Sequence, residues 1–254
     1  MTLDHFLQRI LALQENAPPH EAKHLHGNLI SLLRQNRSNK MSPVVKSILR
    51  GRPARILDVG CGYGALAIFF AMQGIEAVGI DLKGDALKAG GKLVQELNLS
   101  NVTFSTMDAC AITLSGFDMA LSTDFFEHLP YEQQPIHLRS VFQALKPGGT
   151  YIVRTPHRSN IRQHREEHIG LPAFRTLQQQ ASDAGFTVRF GIAHTSFVSP
   201  VTYHIALEQW LESRKWSELA IYKGLQKCGL ANVLAHLEKP SPKSDLPPSR
   251  GRGI

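Results

Sequence analysis

The sequence has only three cysteines, Cys61, Cys110 and Cys228, and they are odd in number and widely separated. This usage is typical of reduced thiols in a cytoplasmic protein and argues against a zinc site. No apolar run approaches the roughly 20 residues that span a bilayer, and the first residues lack the pattern of a signal peptide. We therefore expect a cytoplasmic protein without a membrane span.

The sequence also has fewer acidic than basic residues. There are 28 lysines and arginines against 21 acids, which gives a net charge of +7. Such an excess leaves an acidic partner open: nucleic acid, an anionic lipid surface or an acidic substrate. Much of the positive charge is diffuse, however, and part of it lies in the last residues of the chain. The charge therefore permits binding to RNA without favouring it.

The 254 residues, 43% of them hydrophobic, suit one decorated α/β domain. Short apolar segments predict strands at 55–59, 76–80, 102–106, 117–122, 149–154 and 187–193. Helices are predicted between them at about 65–73, 83–97, 131–145 and 172–184. This alternation indicates right-handed crossovers, and hence a Rossmann-like, doubly wound, mostly parallel sheet with helices on both faces.

Helical additions are predicted on either side of this core. The chain then divides into an N-terminal helical lid (1–50), the core (51–195), a C-terminal helical extension (196–238) and a disordered tail (239–254). Within the extension, the apolar spacing over 203–237 predicts helix. No clear seventh strand follows the sixth, although 197–204 offers a short candidate that Pro200 interrupts.

Three glycines, Gly60, Gly62 and Gly64, stand two residues apart between the first predicted strand and the helix after it. Glycine permits a positive φ and lets a ligand approach the backbone, and a helix N-terminus presents unpaired N–H groups. We therefore predict a cofactor site near residue 60. Gly60, Gly62 and Ala65 also satisfy the dinucleotide fingerprint, with Asp81 at the expected distance, so a dehydrogenase is a real rival.

The acids that follow three of the strands favour a different cofactor. Asp58, two residues before the first glycine, would repel a pyrophosphate but attract a cationic ligand. Asp81 is placed to accept ribose hydroxyl protons, and Asp108 to accept a proton from an adenine amine. Because ligands of open parallel sheets bind beyond the carboxyl ends of the strands, these three carboxylates should converge. S-adenosylmethionine carries an ammonium and a sulfonium and has no phosphate.

With the motifs that follow, these residues resemble the class I, Rossmann-like S-adenosylmethionine-dependent methyltransferases, in the small-molecule, quinone-biosynthesis-like branch. The resemblance runs from about Arg55 to Phe186. It is carried by the glycine motif, Val78-Gly79-Ile80-Asp81, Met107-Asp108, Phe117-Asp118-Met119-Ala120-Leu121-Ser122, Glu127-His128-Leu129 and Leu145-Lys146-Pro147-Gly148-Gly149-Thr150-Tyr151-Ile152-Val153.

The resemblance implies a set of cofactor-binding residues. The methionine portion would be held by Asp58, Gly60, Cys61, Gly62 and Gly64. The ribose and adenine would be held by Asp81 and Asp108, with Leu82 and Ala109 lining the adenine pocket, and Thr123 and Asp124 would border cofactor and acceptor. Structural alternatives stay open: Asp58 could simply cap a neighbouring turn, and Asp108 could be a surface turn residue. We interpret Asp118 as a turn cap and Cys61 as a small filler residue.

For catalysis, methyl transfer from a sulfonium needs chiefly a positioned acceptor, with a general base for some acceptors. His128 and His157 are the candidate bases, and His168 could simply anchor its loop. Asp124, Glu127 and His128 resemble a run linked to a divalent cation in quinone-biosynthesis O-methyltransferases. The charges could equally face different ways, so we predict no metal site.

Motifs of nucleic-acid amino-methylating, protein-arginine and 5-methylpyrimidine enzymes are missing from the sequence. Their absence favours transfer to an oxygen or nitrogen of a small-molecule or lipid-like acceptor. An RNA-modifying methyltransferase is the first alternative, and a non-catalytic cofactor-binding partner protein is the second. The apolar sides of the flanking helices could line the acceptor site, pack on the sheet, or pack on a second copy in a homodimer.

Overall fold

The computed structural model describes residues 3–15, 20–34, 41–158, 160, 163–192 and 232–241. Within them the helices are α1 (Leu3–Glu15), α2 (His20–Leu33), α3 (Ser42–Gly51), α4 (Ala65–Met72), α5 (Gly84–Glu96), α6 (Gln134–Ala144) and α7 (Phe174–Asp183). The strands are β1 (Arg55–Val59), β2 (Glu76–Asp81), β3 (Val102–Thr106), β4 (Phe117–Thr123), β5 (Leu145–Pro156), β6 (Thr187–Ile192) and β7 (Asn232–Glu238). A one-turn 3₁₀ helix covers Phe126–His128.

The strands form one sheet in the order β3-β2-β1-β4-β5-β7-β6. The first five strands pair in parallel, and β7 runs antiparallel to both of its neighbours. The predicted Rossmann-like, mostly parallel fold is therefore confirmed. The order reverses between β1 and β4, and the glycine turn follows β1 at this point, where open α/β sheets bind ligands.

Helices cover both faces of the sheet, because successive side chains of a strand point to opposite sides. Ile56 belongs to a hydrophobic cluster shared with α1–α5, whereas Leu57 belongs to one shared with α6 and α7. The α4 sequence is almost wholly apolar, since α2 packs against this helix in addition to the sheet. None of the described helices is long and apolar enough to cross a membrane.

The N-terminal helices are present as predicted, and their apolar sides are buried. Phe6, Ile10 and Leu29 all lie in the cluster shared with the sheet. These side chains therefore pack in the core, which is one of the two structural alternatives to lining an acceptor site. The corresponding apolar residues predicted for helix near the C-terminus, such as Trp210 and Leu211, lie outside the described residues.

The prediction of helix up to residue 237 is wrong for its last part, because residues 232–238 form β7. The run Asn-Val-Leu-Ala-His-Leu-Glu is short and rich in good helix formers, so its spacing does not separate a helix from a strand buried on both faces. Val233, Leu234, Ala235 and Leu237 are all buried. The sheet thus extends past the predicted core boundary at residue 195, and the alternative strand at 197–204 lies outside the described residues.

Asp118 has a structural role, as interpreted from the sequence, but it anchors the start of β1 and does not cap a turn of its own segment. Its Oδ2 accepts hydrogen bonds from the backbone N–H groups of Ala54 (2.9 Å) and Arg55 (2.8 Å), and its Oδ1 meets Lys146 Nζ at 2.6 Å. Because removing the carboxylate leaves two amides without their acceptor, we expect Asp118→Ala to lower the free energy of unfolding by about 1–3 kcal/mol. Urea denaturation measures this loss, and an unchanged midpoint would contradict it.

Candidate active site

The turn after β1 is held in place by the next strand. The backbone N–H groups of Gly60 and Cys61 both donate to the Ile80 carbonyl, at 2.9 and 3.1 Å. Gly60, Gly62 and Gly64 have φ values of +68°, +55° and +78°. All three lie in the left-handed region, which glycine adopts without the strain that most other residues would incur.

The surroundings of the three glycines differ. A Cβ added to Gly60 would overlap the Phe125 ring, and one added to Gly64 would overlap the Phe104 ring. These two glycines therefore allow close packing inside the protein. A Cβ added to Gly62 would meet no atom within 4 Å. Gly62 consequently presents bare backbone to open space, as a residue against which a ligand lies should do.

Asp58 lies beneath this turn in β1, between Gly79 of β2 and Leu121 of β4, and only 2% of it is exposed. Burial raises the pKa of its carboxyl to about 7; the Ala67 backbone N–H that donates to it opposes the rise, and the charge of Asp81 adds to it. Ala67 is in the first turn of α4. The site thus holds a carboxylate that a bound cation would stabilise in its charged form.

Asp81, at the end of β2, contacts the glycine turn directly. Its Oδ2 accepts a hydrogen bond from the Gly62 backbone N–H at 2.8 Å, and its Oδ1 accepts one from Lys83 N at 2.9 Å. Each carboxylate oxygen can still accept a further hydrogen bond. Leu82, the next residue, is 68% exposed and is the most exposed of the large hydrophobic side chains among the described residues.

Asp108 lies in the loop after β3, and its carboxylate is exposed. Its Oδ1 accepts a hydrogen bond from Cys110 N at 2.8 Å, which closes a local turn. The adjacent Ala109 is buried, and its carbonyl oxygen is 3.0 Å from Nδ1 of His137. The loop that carries Asp108 is therefore held by a hydrogen bond within the loop and by a second hydrogen bond to α6.

A cavity of about 290 Å³ opens above the turn. The described residues that line it are Asn28, Leu32, Met41, Asp58, Gly60, Cys61, Gly62, Tyr63, Ala65, Leu66 and Thr123. Asp58 is the one ionisable acid or base in this lining apart from the weakly acidic Cys61 and Tyr63. Burial and the charges of Asp58 and Asp81 raise the pKa of the Cys61 thiol far above its usual value. Cys61 is thus a neutral side chain, as its interpretation as a filler residue requires.

The sequence-based prediction covers only part of this site. The cavity includes Asp58, Thr123 and three residues of the turn, whereas Gly64, Asp81, Leu82, Asp108, Ala109 and Asp124 are not among its lining residues. The prediction missed Asn28 of α2 and also Met41. Leu32 of α2 belongs to the apolar helix side that the sequence offers as a possible lining of the acceptor site, and it does line the cavity. The amphipathic pattern of α2 predicts a helix, but it does not indicate which of its residues reach over the turn.

Asp124 follows β4 with a positive φ of +52°. Its backbone N–H donates to the Arg154 carbonyl at 3.0 Å, and its carboxylate forms an ion pair with the Arg154 guanidinium. Arg154, in β5, is buried and pairs with Thr123 across the strands. The charge of Asp124 is therefore balanced by Arg154 at the edge of the cavity.

Neither predicted catalytic histidine is among the residues that line the cavity. His128 is exposed; its Nδ1 is 2.9 Å from the Glu167 carbonyl oxygen, and its ring packs edge-on against His168. His157 is buried and stacks on Phe174 at 4.8 Å. Burial, assisted by the charge of Arg158, lowers the pKa of His157 to about 4. Base catalysis by either histidine stays a prediction.

Asp124, Glu127 and His128 resemble a metal-binding run in the sequence, but the structure arranges them differently from what that pattern suggests. Asp124 is engaged by Arg154, while Glu127, His128 and His168 have ligand atoms within 4.8 Å of one another. Glu127 is buried and accepts a hydrogen bond from Thr155 Oγ1 at 2.9 Å. His168 Nδ1 lies 2.7 Å from the Gln163 carbonyl oxygen, which fits a loop-anchoring role for this residue.

Comparison with known proteins decides the family. A sequence profile described as "Methyltransferase domain" matches residues 56–149, which include the glycine turn, Asp58, Asp81 and Asp108. The domain belongs to the class I S-adenosylmethionine-dependent methyltransferases. The cofactor of that family is the one that the sequence predicts.

Individual relatives of the methyltransferase domain agree. It is 33% identical over 115 residues to the 2-heptyl-1-hydroxyquinolin-4(1H)-one methyltransferase of Mycobacteroides abscessus, a match covering 43% of this chain and 50% of that protein. It is 32% identical over 109 residues to the ubiquinone biosynthesis O-methyltransferase of Psychrobacter cryohalolentis, covering 41% and 42%. The matched region is thus no more than half the length of either relative.

Among solved structures, the fold of the methyltransferase domain resembles phosphoethanolamine N-methyltransferase 2 of Haemonchus contortus. The superposition has a TM-score of 0.57 at 18% sequence identity, and it covers 79% of this chain and 53% of that one. At this identity the likeness concerns the fold.

Proposed function

We propose that this chain transfers the methyl group of S-adenosylmethionine to an oxygen or nitrogen of a small, largely apolar acceptor. The observation that carries the proposal is Asp58, a buried carboxylate beside the open backbone of Gly62. No lysine or arginine is present among the described residues that line the cavity. A positively charged ligand would supply the counter-charge that this carboxylate needs.

The residues fit the cofactor at three points. Asp58 and the glycine turn would hold the methionine portion, with its ammonium near Asp58. Asp81 would accept the ribose hydroxyl protons with lone pairs that its two backbone hydrogen bonds leave over. Asp108 would accept a proton from the adenine amine, and Leu82, which is 68% exposed, would lie under the adenine ring.

The same geometry speaks against a dinucleotide. A pyrophosphate placed at the Gly62 backbone would lie close to Asp58 and to the Gly62-bound carboxylate of Asp81. In a partly dehydrated site, negative charges that lie so close together disfavour binding strongly. NAD is therefore the competing ligand that a binding experiment should include.

When bound, the cofactor supplies an electrophilic methyl group on a sulfonium. What the chain supplies is binding and orientation: the glycine turn fixes one end of the cofactor, and Thr123 borders the cavity through which an acceptor would approach. Leu32, Met41 and Leu66 give this cavity an apolar side, which excludes water from the reacting atoms.

The proposed acceptor class draws on this lining and on the relatives. The M. abscessus protein is named for a hydroxyquinolone and the P. cryohalolentis protein for ubiquinone biosynthesis, both of which concern small molecules. The cavity of about 290 Å³ would also hold part of the cofactor, so the space beside its apolar residues suits an acceptor of limited size. Neither relative's name supports the RNA-modifying alternative.

Titration calorimetry with S-adenosylhomocysteine tests the cofactor assignment. We expect binding by the wild-type protein and a loss of about 10- to 100-fold in Asp81→Ala, because a charge-assisted hydrogen bond to the ribose disappears. Asp118→Ala, which removes an acid remote from the cavity, is the matched control and should bind normally. Binding of NAD but not of S-adenosylhomocysteine by the wild-type protein would overturn the proposal.

A further inference from the structure

A chain of hydrogen bonds crosses the apolar core beneath the adenine side of the site. His137 Nδ1 lies 3.0 Å from the Ala109 carbonyl oxygen, and His137 Nε2 lies 2.8 Å from the Tyr151 hydroxyl. The Tyr151 hydroxyl is in turn 2.7 Å from Ser122 Oγ. The relative exposure of His137, Tyr151 and Ser122 is 0% in each case.

With the His137 ring neutral, one pattern of protons satisfies these hydrogen bonds. The Ala109 carbonyl can only accept, so Nδ1 of His137 carries the proton, and Nε2 of the neutral ring accepts from the Tyr151 hydroxyl. Tyr151 then accepts from Ser122. In agreement, burial lowers the pKa of His137 to about 4, against the opposing effects of the Ala109 carbonyl and the Asp108 charge. Each hydrogen bond in this series therefore has one defined donor and one defined acceptor.

The chain links three parts of the candidate site. At one end it holds Ala109, the residue after Asp108, and at the other end Ser122, the residue before the cavity-lining Thr123. The ring of His137 also packs edge-on against Phe125, at 5.5 Å between centroids. Phe125 is the ring that an added Cβ on Gly60 would overlap, so His137 supports the glycine turn as well.

A neutral imidazole and a phenol are costly choices for a core position, because apolar residues of the same volume need no partners. Fully satisfied buried networks do, however, impose one arrangement on the segments that they join. We propose that His137 is a positioning residue: it fixes the loop that carries Asp108 and thereby sets the preference of the site for adenine. This inference rests on the proposed function.

The test compares two ligands that differ only in the base. S-adenosylhomocysteine has the adenine amine, whereas S-inosylhomocysteine has a carbonyl oxygen there, which would face the Asp108 carboxylate as acceptor to acceptor. We expect the wild-type protein to prefer the adenosyl ligand by about 10- to 100-fold in calorimetric affinity. In His137→Leu we expect this preference to fall at least tenfold, while the affinity for the inosyl ligand changes little.

Two further variants separate positioning from general stability. Val141→Ala shortens a buried side chain of the same helix, and it should lower the melting temperature while keeping the ligand preference of the wild-type protein. Tyr151→Phe deletes one hydroxyl without changing the shape of the core, and it should lower the preference even if His137→Leu does not fold.

The possible outcomes are distinct. A wild-type preference retained in both His137→Leu and Tyr151→Phe would overturn the positioning role while leaving the cofactor assignment intact. If His137→Leu does not fold, a preference retained in Tyr151→Phe alone would overturn it. A wild-type protein that binds neither ligand would instead overturn the proposed function itself.

Discussion

Asp58→Asn is expected to weaken the binding of S-adenosylhomocysteine by about 100-fold or more at pH 8 and, at the same time, to stabilise the unliganded protein. The loss arises because a buried carboxylate next to an ammonium contributes more than a neutral amide can. The gain arises because the unliganded protein no longer has to bury an ionised acid that lacks a cation.

The pH dependence of stability follows from the raised pKa. The unfolded chain releases the Asp58 proton near pH 3.8, whereas the folded protein keeps it until about pH 7. The folded state therefore binds the extra proton between these values, and the contribution of Asp58 to stability falls as the pH rises from about 4 to 7. Above pH 7 the loss of unfolding free energy due to Asp58 amounts to about 4 kcal/mol. Asp58→Asn should therefore be more stable than the wild-type protein in this pH range.

Ligand binding should show the opposite dependence. Since the ammonium needs the ionised carboxylate, the affinity for S-adenosylhomocysteine should rise as the pH is raised from 6 and level off above about 7. Below that point the affinity should fall by up to tenfold per pH unit, with uptake of the ligand coupled to proton release. Calorimetry at pH 6, 7 and 8 in buffers of different ionisation enthalpy measures both quantities. Equal pH profiles for the wild-type protein and Asp58→Asn would refute the role of Asp58.

The second large effect concerns the open face of the glycine turn. Gly62→Ala should reduce the affinity for S-adenosylhomocysteine by about 10- to 100-fold, because the new methyl group projects into space that the ligand occupies. The left-handed backbone adds a cost of about 1–2 kcal/mol to folding. The protein should nevertheless fold, since no atom lies within 4 Å of the added Cβ.

Gly74 offers a matched control for this variant. Its φ is +84°, and an added Cβ likewise meets nothing within 4 Å, but Gly74 is not among the residues that line the cavity. Gly74→Ala should therefore lose a similar amount of unfolding free energy and bind the ligand as the wild-type protein does. Equal affinity in Gly62→Ala and Gly74→Ala would show that the ligand does not lie against Gly62.

The sequence predicts the parts of the molecule in which local pattern and global fold agree. Strands β1, β2 and β3 alternate with helices, and acids lie at or near the ends of β1 and β2. The parallel sheet and the position of Asp58 and Asp81 at one edge could therefore be anticipated. The spacing of the glycines likewise predicts a cofactor site after β1. Gly60 and Gly64 are needed for packing and Gly62 for open backbone, but this division of roles depends on the Phe104 and Phe125 rings, which come from elsewhere in the chain.

The features that the sequence did not predict have a common physical origin. Each depends on contacts between segments that are distant in the chain. β7 has the composition of a helix, and only its place between β5 and β6 makes it a strand. Asn28 reaches the cavity because α2 packs over α4, a relation that no spacing in α2 records. His137 looks like an ordinary residue of an amphipathic helix, and its importance emerges only when Ala109, Tyr151 and Phe125 surround it.

The insertion of β7 between β5 and β6 also constrains how the chain is made. During synthesis, β6 emerges with no neighbour to pair with, because its partner is separated from it by some forty residues of chain still to come. Until that last strand leaves the ribosome, the backbone edge of β5 stays open to other chains, and edges of this kind favour aggregation. Lys239, directly after β7, then closes the structure by donating to the carbonyl oxygens of Phe142 and Leu145. A nascent chain interrupted before residue 232 would therefore be a substrate for chaperones rather than a smaller version of the domain.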